Sequence, residues 1–294
     1  MNRTDAGRTS AGRDGVVLAT RTPDRARALA EALRKRRLRL ILSPLRAPRA
    51  LTEPELDALD SALGGGPWEA ATFTSVNGLR GLRAGLARLH AAGRSVHAEP
   101  AALLAGTQVH CVGRATAEEA RAQGLTPAAE TAAGEEEQSA RGLLTRLGRA
   151  GAPGSVLCVH GRPHRPELAD GLRELGAEVT EAVAYAMADW PAPEPLGGQA
   201  PGAAGEERPA ESAAPALDRQ ATAEVLHERA ADVVLVTSPR QLEALHFLGP
   251  LPEPVVCLGS TTAARARELG LAAVTAVSPA PEDLAEAALR ARSG

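Results

Sequence analysis

The chain is short of aromatic residues: of 294 residues only 2% are aromatic, with two Trp, two Phe and a single tyrosine, Tyr185. A protein that stacks nucleic-acid bases needs a platform of rings, and this one has too few. Nor is there an excess of positive charge. The net charge is −3, so no global basic field attracts nucleic acid. Arg and Glu alternate along the helical stretches, which describes solvated faces. No apolar run approaches the roughly 20 residues that span a bilayer. The opening MNRTDAGRTSAGRDG is polar and carries no apolar signal-peptide core. Residues 1–14 are expected as a disordered tail, and the protein as cytoplasmic and without a membrane partner. The three cysteines, Cys111, Cys158 and Cys257, sit far apart inside apolar strand-like runs. They read as small core residues in a reducing compartment, not as disulfides or zinc ligands.

What is present in quantity is hydrophobic content, 44%, supplied chiefly by Ala, Leu and Val. It falls into short apolar runs, each followed by a helical pattern. GVVLATR (15–21), LRLILSPL (38–45), WEAATFTS (68–75), QVHCVG, SVLCVHG (155–161), AEVTEAVAYAM (177–187), DVVLVTS (232–238) and PVVCLGS read as strands. PDRARALAEALRKR (23–36), EPELDALDSAL (53–63), VNGLRGLRAGLARLH (76–90), EEEQSARGLLTRLGRA (135–150) and RPELADGLRELG (165–176) read as helices. Strands buried on both faces by helices argue for an α/β protein with parallel sheets. Residues 189–218 are rich in Pro, Ala, Gly and Glu, have no apolar period, and are expected as a linker.

The chain also repeats itself. VHCVGRATAEEARAQGL (109–125) and VVCLGSTTAARARELGL (255–271) align without a gap and share Val, Cys, Gly, Thr, Ala, Ala, Arg, Gly and Leu. VLATRTPDRARALAEAL (17–33) resembles VLCVHGRPHRPELADGL (156–172) if one residue is skipped, and FTSVNGL (73–79) resembles VTSPRQL (236–242). The order is the same in both halves, so a duplicated unit is the economical reading, and two related α/β domains follow.

Each half carries two strand-to-helix corners. One is Thr-Ser, at Thr74-Ser75 and Thr237-Ser238; the other is Gly-x-x-Thr-Ala, with Gly113 and Thr116, and Gly259 and Thr262. The start of a helix presents free N–H groups and the positive end of its dipole, which suits a carboxylate or phosphate. The competing reading is a plain helix cap: Thr116 stands three residues before Glu119, as in a capping box. A dinucleotide site fits less well, because no Gly-x-Gly-x-x-Gly turn follows the first strand and no phosphate loop occurs. His160 and His164 flank Gly161-Arg162-Pro163. With no carboxylate or cysteine beside them in sequence, they read as a polar loop and no metal is expected. Arg21 could hold an anion or be solvated. Tyr185 is the lone phenol, able to donate a hydrogen bond or proton, or simply to sit at an interface.

Taken together, VLATR with its helix, FTSVNG, VGRATA, the G-R-P-x-R-x-x-L-A-x-x-L helix, a strand-end tyrosine, VTSP and LGSTTA occur in the order that resembles uroporphyrinogen-III synthases. The resemblance spans about residues 15–290 without the linker. It implies two flavodoxin-like, discontinuous α/β domains: 15–44 with 184–294 (190–218 being a disordered insertion), and 48–181. It further implies a two-strand connector and a cleft between the domains. Each domain would then take its first strand and helix from one repeat and the rest from the other. The implied substrate is hydroxymethylbilane, a linear tetrapyrrole with eight carboxylates, which would lose water and close with its last ring inverted. No cofactor is implied, and a monomer is, with hand-over of substrate by the preceding enzyme left open. Tyr185 matches the family's catalytic tyrosine. Arg21, Thr74, Ser75, Asn77, Thr116, Ser238, Thr261 and Thr262 are expected at the substrate. Ala186-Met187 departs from the polar pair that often follows the tyrosine, and the linker is unusually long. The alternative is a non-catalytic tetrapyrrole or small-anion binding protein on the same scaffold.

Overall fold

A computed structural model describes residues 13–23, 26–128, 139–151, 153–196 and 214–293. The tail expected at 1–14 lies almost wholly outside them, as do the first residues of the helix expected at 135–150 and most of the 189–218 stretch. The described residues divide into two compact units. One comprises those within Met1–Arg46, Asp189–Pro191 and Ala204–Gly294, the other those within Ala47–Ala188 and Ala192–Ala203.

The first unit holds a five-stranded sheet. In it β1 (Gly15–Ala19) is flanked by β2 (Leu38–Leu42) and β8 (Val233–Val236), and β9 (Val255–Cys257) and β10 (Ala273–Thr275) follow β8. Neighbours are parallel throughout, with Val17 opposite both Leu40 and Val233. The apolar run of β1 fills two cores at once. Val16 and Leu18 pack on one face of the sheet, Val17 and Ala19 on the other. That is why its five residues show no alternation and are all buried. Helices α1 (Arg27–Arg34) and α11 (Pro281–Ser293) cover one face; α8 (Arg219–His227), α9 (Pro239–Leu248) and α10 (Ser260–Glu268) cover the other.

The second unit repeats the plan with β4 (Ala70–Phe73), β5 (Gln108–Cys111), β6 (Ser155–Arg162), β7 (Glu178–Asp189) and the edge strand β3 (Arg46–Arg49), in the order β3-β7-β6-β4-β5. Its helices are α2 (Glu53–Leu63), α3 (Val76–Ala91), the short α4 (Pro100–Leu103), α5 (Arg114–Ala122), α6 (Ala140–Ala150) and α7 (Glu167–Glu174). The repeated segments hold equivalent places: β5-β4-β6-β7 matches β9-β8-β1-β2 strand for strand. So the segment that opens the chain sits beside strands of the second repeat, and the segment that opens the second repeat sits beside strands of the first.

Two elements go unannounced in the sequence, and two expectations need correction. RAPR, the sequence of β3, lacks a strand pattern and joins the sheet as an edge. PAAL forms α4 behind a proline at a helix start. Tyr185 does not end its strand, because β7 continues to Asp189 and residues 184–188 group with the second unit. The 189–218 stretch is not free at its described ends. Ala50 N–H donates to Glu194 and Leu196 N–H to Pro48, while Pro215 accepts from Leu42 and Leu217 N–H donates back to it. Backbone pairing needs no apolar pattern, which is why composition hid it.

Candidate functional site

All strands of a parallel run end on the same edge, so the corners named above gather at the carboxyl edge of their own sheet. In open α/β sheets, ligands bind at that edge where the strand order reverses. The reversal falls between β1 and β8 in the first unit, and between β6 and β4 in the second.

In the second unit the reversal is where Tyr185 lies. Its hydroxyl is 3.3 Å from Ser75 Oγ, so one oxygen donates to the other. Ser75 also caps α3, accepting from Gly78 N–H at 3.2 Å. The phenol is therefore tied to the positive end of a 16-residue helix. Glycines make room for it. A Cβ on Gly161 would lie 2.5 Å from Tyr185 Cε1, and one on Gly81 would lie 2.8 Å from the Ala184 carbonyl carbon and 3.1 Å from Tyr185 Cβ. The ring thus lies over β6 in the space of an absent side chain, and α3 lies against the β7 backbone at Ala184. Register places Gly161 opposite Tyr185, just after an irregularity between His160 and Gly161. Of the other expected residues here, Thr74 is exposed, Ser75 and Asn77 are half-buried, and Thr116 is buried.

The capping-box reading of Thr116 is overturned. The cap of α5 is Gly113, and Thr116 stands at the third helical position with 5% of its surface exposed. Glu119 instead pairs with Arg80 at 3.0 Å and accepts from Gln123 at 2.9 Å. Thr262 repeats this in α10 behind the cap Gly259, with 4% exposed, while Thr261 one residue earlier is exposed. The sequence repeat therefore preserves a buried threonine under each glycine-capped helix start.

In the first unit Ser238 caps α9, accepting from Gln241 N–H at 3.4 Å. Gln241 Oε1 also accepts from Thr20 at 3.0 Å, from Ser238 at 3.3 Å and from Thr237, while its Nε2 donates to the Thr20 carbonyl at 3.0 Å. This side chain ties the ends of β1 and β8 together. It lies within VTSPRQL, but nothing in that string marks it as a hub. Half-buried Arg21 follows Thr20 directly.

The histidine pair is corrected as well. Glu181 of β7 lies between the two rings: His160 Nε2 and His164 Nε2 are each 3.1 Å from its Oε2. Register across β6 and β7, invisible in sequence, supplies the carboxylate. The cysteines are buried and free, and burial pushes their thiols up, to about 12 for Cys111 and about 11 for Cys158 and Cys257. They are unsuited to nucleophilic work at neutral pH.

A family model described as "Uroporphyrinogen-III synthase HemD" matches residues 27–286. Among solved structures, a mutant uroporphyrinogen III synthase from the extremely thermophilic bacterium Thermus thermophilus is similar at 19% identity and TM-score 0.57, over 94% of this chain and 99% of that one. The uroporphyrinogen-III synthetase of Helicobacter pylori is similar at 17% identity and TM-score 0.55, over the same shares. At such identities the likeness is one of fold. No curated protein sequence matches the chain.

Proposed function

We propose roles for individual residues from one premise: the chain belongs to the uroporphyrinogen-III synthase family. Its activity is that family's lyase-type cyclisation of hydroxymethylbilane to uroporphyrinogen III, and the non-catalytic alternative is not favoured. The observation that carries the residue assignment is the placement of Tyr185, the only phenol. It sits where the strand order of its sheet reverses, with its hydroxyl 3.3 Å from a helix-capping serine.

In the proposed reaction Tyr185 donates a hydrogen bond or proton to the hydroxymethyl oxygen as the C–O bond breaks and water leaves. The electron pair of the adjoining pyrrole nitrogen fills the gap, giving a cationic azafulvene. The substituted α-carbon of the last ring attacks it, and the spiro intermediate opens and recloses with that ring inverted. Loss of a proton restores the pyrrole, so the balance is substrate to product plus water. Ser75 orients the phenolic hydrogen, and the dipole of α3 favours an oxyanion at that point.

The substrate carboxylates need local donors, since a chain of charge −3 has no net field to hold them. We assign that task to backbone N–H groups at the starts of α3, α5, α9 and α10, with Arg21, Thr74, Asn77 and Thr261 beside them. Thr116, Thr262, Ser75 and Ser238 shape those helix starts. A monomeric state, a cytoplasmic location and receipt of substrate from the preceding enzyme complete the proposal, and rest on the family resemblance. Among the described residues no helix is long and apolar enough to cross a membrane.

The test is to supply freshly made hydroxymethylbilane and resolve the cyclised isomers after oxidation. Rapid formation of isomer III is the expected result. Isomer I alone, the product of unassisted closure, would leave the protein a binding module.

A further inference from the structure

Two residues after Cys158, which stands opposite Glu181, β6 presents His160. The chain then turns through Gly161, Arg162 and Pro163 and lays His164 over His160, the ring centroids 3.6 Å apart and the planes 19° from parallel. Both Nε2 atoms point at one carboxylate oxygen, Glu181 Oε2, at 3.1 Å. The other oxygen, Oε1, is held by Arg173 of α7 at 2.6 Å. Arg173 thus anchors the carboxylate and leaves Oε2 to the imidazoles. The three candidate ligand atoms lie within 4.8 Å of one another.

Two imidazole nitrogens and one carboxylate oxygen are the ligand types and number that bind zinc with a fourth position open. We propose that His160, His164 and Glu181 form a binding site for one divalent transition-metal ion of the zinc class. The ion replaces the two N–H···O contacts: each neutral ring shifts its proton to Nδ1 and offers the Nε2 lone pair. At His160 the shifted proton sits on Nδ1, which is buried without a hydrogen-bond partner among the described residues, so the metal–nitrogen bond must outweigh the cost of that unsatisfied donor. Burial, then the neighbouring His164, lower the His160 pKa against the raising effect of Glu181, which favours the neutral, ligating form. His160 is buried while His164 is exposed, so one ligand is fixed and the other stands at the entry. Two nitrogen donors out of three disfavour Mg²⁺ and Ca²⁺, which take oxygen ligands. His160 adjoins Gly161, the seat of the Tyr185 ring, but no step of the cyclisation uses the ion.

The experiment is competition for Zn²⁺ between the full chain and a chromophoric chelator, with circular dichroism as the folding control. The wild-type chain should take up one Zn²⁺ and ignore Mg²⁺. His164→Ala and Glu181→Gln should weaken uptake on the order of 100-fold, since even outer partners of metal ligands are worth 10- to 100-fold. Co²⁺ should give the visible absorption of a four-coordinate site in the wild type and not in His164→Ala. Absence of Zn²⁺ uptake by the wild type, or uptake by folded His164→Ala equal to wild type, overturns the proposal. Exposed His164 makes that variant decisive even if Glu181→Gln fails to fold.

Discussion

Tyr185 lies on Gly161: a methyl group there would come within 2.5 Å of the ring at Cε1 and also meet its other edge. The phenol is therefore seated by an absent side chain, and its position is fixed by β6 as much as by its own strand.

Removing the hydroxyl and keeping the ring isolates its chemistry. Tyr185→Phe should lower turnover to isomer III by roughly 10²-fold or more, the lower range for a lost general acid, with the fold unchanged by circular dichroism. Near-wild-type turnover by a folded variant would remove Tyr185 from the mechanism.

Disturbing the seat tests the geometry. Gly161→Ala should cut turnover by tilting the ring, with Tyr185 and Ser75 both intact. Gly81→Ala presses on the β7 backbone at Ala184, which cannot rotate away as a side chain can. Its main effect should be on stability, about 1–3 kcal/mol of overpacking, read from urea unfolding. Full activity and stability in both variants would show that the close approach is not required.

Gln241 should be a stability residue. Gln241→Leu takes the common acceptor from Thr20, Thr237 and Ser238. A cost of about 1–3 kcal/mol is expected, seen as a lowered Tm. An unchanged Tm would mean that water satisfies those hydroxyls equally well.

The pH dependence should centre on Glu55. Its bidentate pairing with Arg49 at 2.6 and 2.8 Å, helped by Thr52 N–H and hydroxyl at 2.9 Å, overcomes burial and lowers its pKa to about 2. A depressed carboxylate stabilises the fold above its unfolded value near 4.5 and loses that contribution as pH falls towards 2. Glu55→Gln should therefore destabilise by roughly 2 kcal/mol at pH 7, after discounting for solvent screening, and by less at pH 3. Equal penalties at the two pH values would contradict the pairing.

The thiols give a simple reactivity test. With Cys111, Cys158 and Cys257 buried and their pKa values raised, a disulfide reagent at pH 8 should leave the native chain unmodified and titrate all three after guanidinium unfolding. Fast native labelling would mean that one strand opens readily.

Sequence shows most clearly what is repeated locally. The apolar runs of β1, β8 and β9 need only composition, and Ser75 and Ser238 announce helix starts by residue type. Contacts set by strand pairing are less visible. Glu181 meets two histidines because Cys158 stands opposite it, Tyr185 meets Gly161 across the same pair, and Gln241 reaches Thr20 across 221 residues. Thr116 misleads because a threonine three residues before a glutamate looks the same whether it precedes the helix or lies inside it. Only the backbone shows the helix starting at Gly113.

The place of β1 has a consequence for biosynthesis. Val17 pairs with Leu40 on one side and Val233 on the other, so the second partner of the first strand is translated 216 residues later. At about 5–20 residues per second that is roughly 10–40 s of ribosome time. All five strands of the other sheet, β3 to β7, emerge in one run meanwhile. A nascent segment that is apolar on both sides must wait through all of it, and is the part of this protein most in need of a chaperone.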